Sequence, residues 1–111
     1  MVKLTGNSEY KVVIVRSAKM QFAQILRYLR QDLGNEQAAM NVKEDMEETK
    51  LRLSQVAGSL KLCDDPELQA LGYRTIHLKR HRYFLLYKII DDIVRVDGIY
   101  HDLQDYESVL R

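Results

Sequence analysis

The chain has 111 residues, with 17 lysines and arginines against 16 aspartates and glutamates, for a formal net charge of +1. A chain this long buries roughly two-thirds of its unfolded surface, and 46% hydrophobic residues can fill the core, so disordered and fibrous classes are excluded. The longest apolar run, Tyr83 to Ile90, has eight residues and includes Lys88. A membrane-spanning helix needs about 20, so no span and no membrane partner is expected. Met1 to Tyr10 lacks the apolar core of a secretory leader. The single Cys63 cannot close an internal disulfide or build a paired-cysteine zinc site. Together these features predict a protein of the reducing cytosol.

In chain order, Tyr10–Arg16 reads as a buried strand rich in valine and isoleucine. Ser17 is a good N-cap for a helix whose apolar positions are Phe22, Ile25, Leu26, Leu29 and Leu33, and Gly34 closes it. Asn35 can cap a second helix at once. There Ala39, Val42, Met46, Thr49, Leu53 and Val56 form one stripe at helical spacing, which predicts a helical hairpin. Glu44, Asp45, Glu47 and Glu48 read as the solvated face of that helix. Residues 59–72 hold the only proline and predict a loop with a helical turn at 66–71. Cys63, in this acidic loop, is expected to be inert. Three strands follow, Tyr73–Lys79, Arg82–Ile90 and Ile93–His101, then a short helix over Asp102–Leu110 capped by Asp102, with Asp105 in its first turn. The order predicts a single α+β domain over 1–111, a helical hairpin packed on a mostly antiparallel four-stranded sheet.

Charge is distributed unevenly. Residues 73–90 carry Arg74, Lys79, Arg80, Arg82 and Lys88 with no acid, plus His77 and His81. A locally basic segment in a neutral protein suggests an anionic ligand at one patch, although lysines also guard strand edges. With Asp91-Asp92 as a two-residue turn, Ile89 should face Val94, Tyr87 face Val96, Leu85 face Gly98 and Tyr83 face Tyr100 on an apolar side under the helices. The other side should pair Lys88 with Arg95, Leu86 with Asp97, Phe84 with Ile99, and Arg82 with His101. With Arg80-His81 as the preceding turn, Ile76 and Leu78 join the apolar side, while His77 and Lys79 join the mixed side. A one-residue slip would reverse this. On this register His77, Lys79, Arg82 and His101 gather at one end of the sheet, with Arg80 and His81 at the turn. Such a cluster suits a phosphodiester, since cations stabilise charge on a phosphorane and an imidazole can move a proton. No acidic cluster lies nearby, so neither metal nor other cofactor is expected. Tyr87, on the apolar side, reads as packing.

The stretch GYRTIHLKRHRYFLLYKIIDDIVRVDGIYHDLQDYESVL, Gly72–Leu110, resembles the RelE/ParE toxins of bacterial type II toxin–antitoxin modules. The matching features are Arg74 before a strand, His81-Arg82-Tyr83, the Leu85–Ile93 hairpin with Val94 and Val96, and His101 with Gln104-Asp105-Tyr106 and Leu110. YKVVIVRSAKMQFAQIL resembles the family's first strand and helix. The resemblance implies a cytosolic toxin held inactive by a cognate antitoxin whose acidic and apolar side chains cover the basic face, Phe84 and Ile99. It does not fix the target: RelE-like members cleave mRNA on the ribosome without a metal, the activity expected here. His101 would transfer the proton, Arg82 would stabilise the phosphate, and Tyr106 could join them. Lys79 and Arg80 would hold the RNA, with His77 or His81 in reserve. ParE-like members instead poison DNA gyrase without catalysis. The near-neutral charge is unlike the basic surface expected of a protein entering the ribosome.

Overall fold

The computed structural model describes residues 9–102. The expected C-terminal helix, Asp105 and Tyr106 lie outside the described residues. Among the described residues nine elements follow one another. Strand β1 (Lys11–Ile14) leads into α1 (Arg16–Arg27), a π-turn (Tyr28–Asp32), α2 (Glu36–Val56) and a 3-10 turn (Ala57–Ser59). Then come α3 (Pro66–Ala70), β2 (Tyr73–His77), β3 (Tyr83–Ile90) and β4 (Ile93–His101). The sheet order is β1-β4-β3-β2. β1 runs parallel to β4, and the other pairs are antiparallel. This is the α+β arrangement the sequence predicts.

Local chemistry accounts for the helical half. Helix α1 starts one residue before Ser17, with Val15 at its cap and no capping side chain. It buries Ala18 and rests Phe22 and Ile25 on the core. Its last turn widens, so that the Leu33 N–H donates to the Tyr28 carbonyl at 3.1 Å. That widening shifts the helical phase, and Leu33, expected inside, is 56% exposed. Gly34 then turns the chain at φ +61, a conformation that glycine adopts without a Cβ clash. Asn35 Oδ1 accepts from the Ala38 N–H at 2.9 Å, the cap its position predicts. From the predicted α2 stripe, Ala39, Val42, Met46, Thr49 and Leu53 are buried.

One face of the sheet meets these helices through Ile76, Leu78, Leu85, Tyr87, Val94, Val96 and Ile99, packed on Met46, Leu53 and Ala57. Tyr87 is fully buried, its hydroxyl donating to the Ala57 carbonyl at 2.8 Å, and burial pushes its pKa up to about 12. The opposite face holds a smaller cluster of Phe84, Leu86 and Tyr100 with Cys63 and Leu68, under the α3 segment. Asp65 caps α3 through the Leu68 N–H.

The β2–β3 register is the one the sequence predicts, from Tyr73 opposite Lys88 to His77 opposite Phe84. The β3–β4 register follows prediction only from Ile90/Ile93 to Tyr87/Val96. Asp97 is then one residue too many, and beyond this β-bulge Leu86 faces Gly98, Leu85 faces Ile99, Phe84 faces Tyr100 and Tyr83 faces His101. The expected pairs Leu86/Asp97, Leu85/Gly98, Phe84/Ile99, Tyr83/Tyr100 and Arg82/His101 are therefore corrected. Two features favour the bulge. Arg95 grips Asp97 bidentately at 2.7 and 2.9 Å while the Tyr73 hydroxyl donates to it at 2.5 Å. Gly98 leaves room for the Tyr100 ring, which a Cβ would meet at 2.5 Å. Ile99 consequently turns into the main core and Tyr100 to the other side.

Candidate functional site

The basic segment 77–82 leaves β2, crosses the end of the sheet and enters β3. The Leu78 N–H donates to the Tyr83 carbonyl at 2.9 Å, so residues 79–82 form a loop. Its organiser is Asp45 of α2. Asp45 is fully buried, contrary to the solvated face expected for it. Its carboxylate accepts from the Lys79 N–H at 3.1 Å and the Arg80 N–H at 2.8 Å, and lies 2.7 Å from His81 Nδ1. Burial alone would raise its pKa, but the His81 ring and the two N–H groups outweigh burial and hold the carboxyl below its ordinary value. Further along α2, Glu48 pairs with Arg80 at 3.0 Å and Arg52 donates to the His77 carbonyl at 2.8 Å. Three α2 side chains thus tie down a loop more than 20 residues away in sequence. They also draw Arg80 and His81 toward α2. The side chains of Lys79 and Arg82 are exposed and form no ion pair or hydrogen bond among the described residues.

The bulge separates the expected cluster. His77 lies on the Phe84 side of the sheet, its ring tilted against Phe84 at 5.5 Å and its Nε2 3.6 Å from Asp102 Oδ1. The Arg82 carbonyl accepts from the Asp102 N–H, so Arg82 faces Asp102 across the strands. His101 lies on the helix side, edge-on to Tyr83 at 5.4 Å. There Gln21, Gln24, Ile25, Tyr28, Tyr83 and Ile99 line a cleft of about 300 Å³. Arg82 and His101 are therefore sequence neighbours across a strand pair but occupy opposite faces. Phe84 and Ile99, expected to be open to a partner, are already buried at 5% and 3% exposure.

Lys88 and Arg95 are neighbours across β3 and β4, as predicted. Arg95 is committed to Asp97, and Lys88 sits 5.4 Å from the centre of the Tyr73 ring. Burial, and then the adjacent Asp97, push the Tyr73 hydroxyl's pKa up. Among the described residues, no three histidine, cysteine or acidic side chains converge on a metal-sized site. No described helix is long and apolar enough to cross a membrane.

Two residues that shape this region, Asp45 and Asp97, escaped the sequence reading, and each left a signal. Asp45 falls three residues after Val42 and four before Thr49, on the buried side of α2. Asp97-Gly98 breaks an otherwise β-branched strand, a composition that marks bulges.

Comparison with curated proteins finds no match. A solved chain of the chromosomal ParDE TA system from P. aeruginosa superposes with a TM-score of 0.69 at 19% identity, over 85% of this chain and 97% of that one. This likeness is one of fold. The family model for the ParE toxin of type II toxin-antitoxin system, parDE, matches residues 12–106. Since that match runs through all three described α-helices and all but the first residue of the sheet, the chain belongs to the ParE toxin family of type II toxin–antitoxin systems.

Proposed function

We propose that this toxin works in the cytosol by binding DNA gyrase, as a protein–protein inhibitor, and that a cognate antitoxin neutralises it. The observation that carries this reading is the Asp97 bulge. Transesterification of RNA needs a cation and a proton-transfer group at one phosphate. The bulge turns Arg82 and His101 to opposite sides of the sheet. Family membership favours the same reading.

One observation favours mRNA cleavage on the ribosome as a second reading. His77, beside Asp102, shares a sheet face with Arg82 and could take the proton-transfer role in place of His101. Tyr106 would then act from outside the described residues.

A supercoiling assay with purified gyrase, run beside primer extension on mRNA from induced cells, separates the two. The expected result is inhibited supercoiling with intact mRNA. Cleaved mRNA with gyrase unaffected overturns the gyrase reading, and loss of that cleavage in Arg82→Ala and His77→Ala would then assign the chemistry.

A further inference from the structure

Two departures from regular geometry build one cleft. The π-turn at the end of α1 begins with Tyr28, and the β-bulge turns Ile99 toward the helices. Both residues line the cleft of about 300 Å³, and Gln21, on its α1 wall, accepts from the Ile99 N–H at 3.1 Å. Such irregularities are uncommon in helices and sheets, and they gather where a side chain must be re-aimed for a purpose. The lining holds no charge, only two glutamines, two isoleucines and two tyrosines. It is open at the rim, where Tyr28 is 51% exposed. The depressions along α2 differ, since glutamates border them.

The described chain ends beside this cleft. β4 finishes at His101, which pairs with Tyr83 and packs edge-on to its ring at the cleft wall. Residues 103–111 follow from there, whereas residues 1–8 precede the opposite end of the sheet, where Lys11 lies beside Ile93. In the sequence LQDYESVLR, helical spacing puts Leu103, Tyr106, Val109 and Leu110 on one side, and Gln104, Ser108 and Arg111 on the other. A helix this short does not hold in water by itself and needs a surface for its apolar side. Nine helical residues span about 13 Å, and the α1 wall from Gln21 to Tyr28 spans about 10 Å. An uncharged cleft takes such a side without burying an unpaired charge.

We propose that residues 103–111 of this same chain occupy the cleft as a short helix, with Tyr106 and Leu110 turned to Ile25, Tyr28 and Ile99. Tyr106 then packs on the helix side of the sheet, away from His77 on the Phe84 side, and takes no part in chemistry there. Any other molecule that uses the cleft has to displace this segment first.

The test is NMR on the full chain with labelled isoleucine methyl groups. NOEs from the Tyr106 ring to the Ile25 and Ile99 methyls are expected within one molecule. The amides of residues 106–110 should exchange about tenfold or more slowly than in an unfolded chain. Tyr106→Ala should remove that protection and lower the melting temperature, while Gln104→Ala, at the centre of the polar side, should leave both as in wild type. Tyr28→Ala should lower the melting temperature too. The double variant Tyr28→Ala/Tyr106→Ala should fall short of the summed single shifts, because the two rings share one contact. Strictly additive shifts overturn the inference. Missing NOEs with freely exchanging amides also overturn it, and leave the cleft to a partner protein. NOEs seen only between differently labelled copies assign the cleft to a second copy of the chain and overturn it as well.

Discussion

The two connections flanking β3 reverse the chain by different means. At Asp91-Asp92 the strands continue into a two-residue turn with Asp91 at φ +58, which borrows no side chain from elsewhere among the described residues, its Asp92 carbonyl simply accepting from the Lys11 N–H as β1's ladder runs on. At Lys79–Arg82 the Leu78 N–H closes the loop on the Tyr83 carbonyl, but the Lys79 and Arg80 N–H groups inside it find their acceptor only outside the loop. That turn borrows a carboxylate from a helix 34 residues earlier. The first is a local device that any neighbouring pair of strands can use. The second exists only once tertiary structure has formed, so its shape reports the position of α2.

This contrast predicts a graded series of effects. Asp45→Ala should be the most damaging, because it leaves two part-buried N–H groups and the His81 ring without their buried carboxylate partner. A loss of about 3 kcal/mol is expected in equilibrium denaturation. A loss under about 1 kcal/mol would mean the loop supports itself and the contrast is false. The same carboxylate sets an acid limit. Its folded pKa lies below the ordinary value of 3.8, so its stabilisation is complete above that value and disappears as pH falls through the folded pKa. Asp45→Asn should flatten this acid limb in a stability-against-pH series.

Asp97→Ala comes next, at about 1–2 kcal/mol, since Arg95 and Tyr73 both lose their partner. The Tyr73 hydroxyl should then titrate at lower pH, as the charge that helps raise its pKa is gone. An unchanged Tyr73 titration curve would show that the bulge stands without this triad.

The smallest effect belongs to the Asp91-Asp92 turn, where Asp91→Gly should stabilise by roughly 0.5 kcal/mol by removing the Cβ from a left-handed position. A destabilisation there would point to a role for the Asp91 carboxylate that the backbone does not reveal.

Much of the fold was legible because short-range chemistry dictates it. Asn35 and Asp65 cap where their spacing says they should, and the α2 stripe from Ala39 to Leu53 faces inward. The β2–β3 register followed once the turn was placed at Arg80-His81. The candidate site was less legible, and the reason is parity. One extra residue at Asp97 flips every later side chain in β4, so the pairing of Arg82 with His101 failed although both residues sit at the expected end of the sheet. The role of Asp45 was hidden for another reason. An acid among acids on a helix reads as solvated, and only the fold brings Lys79, Arg80 and His81 to it.

The parallel seam between β1 and β4 also has a consequence in time. Lys11 lies beside Ile93, so β1 must wait for β4 before it has its neighbour in the sheet. At ribosomal speeds of about 5–20 residues per second, that wait is on the order of 4–16 s. For that interval the nascent chain carries its helices and the beginnings of its hairpins without the closed sheet that fixes them. The β1–β4 seam of this toxin-family chain is therefore completed only after β4 has been made.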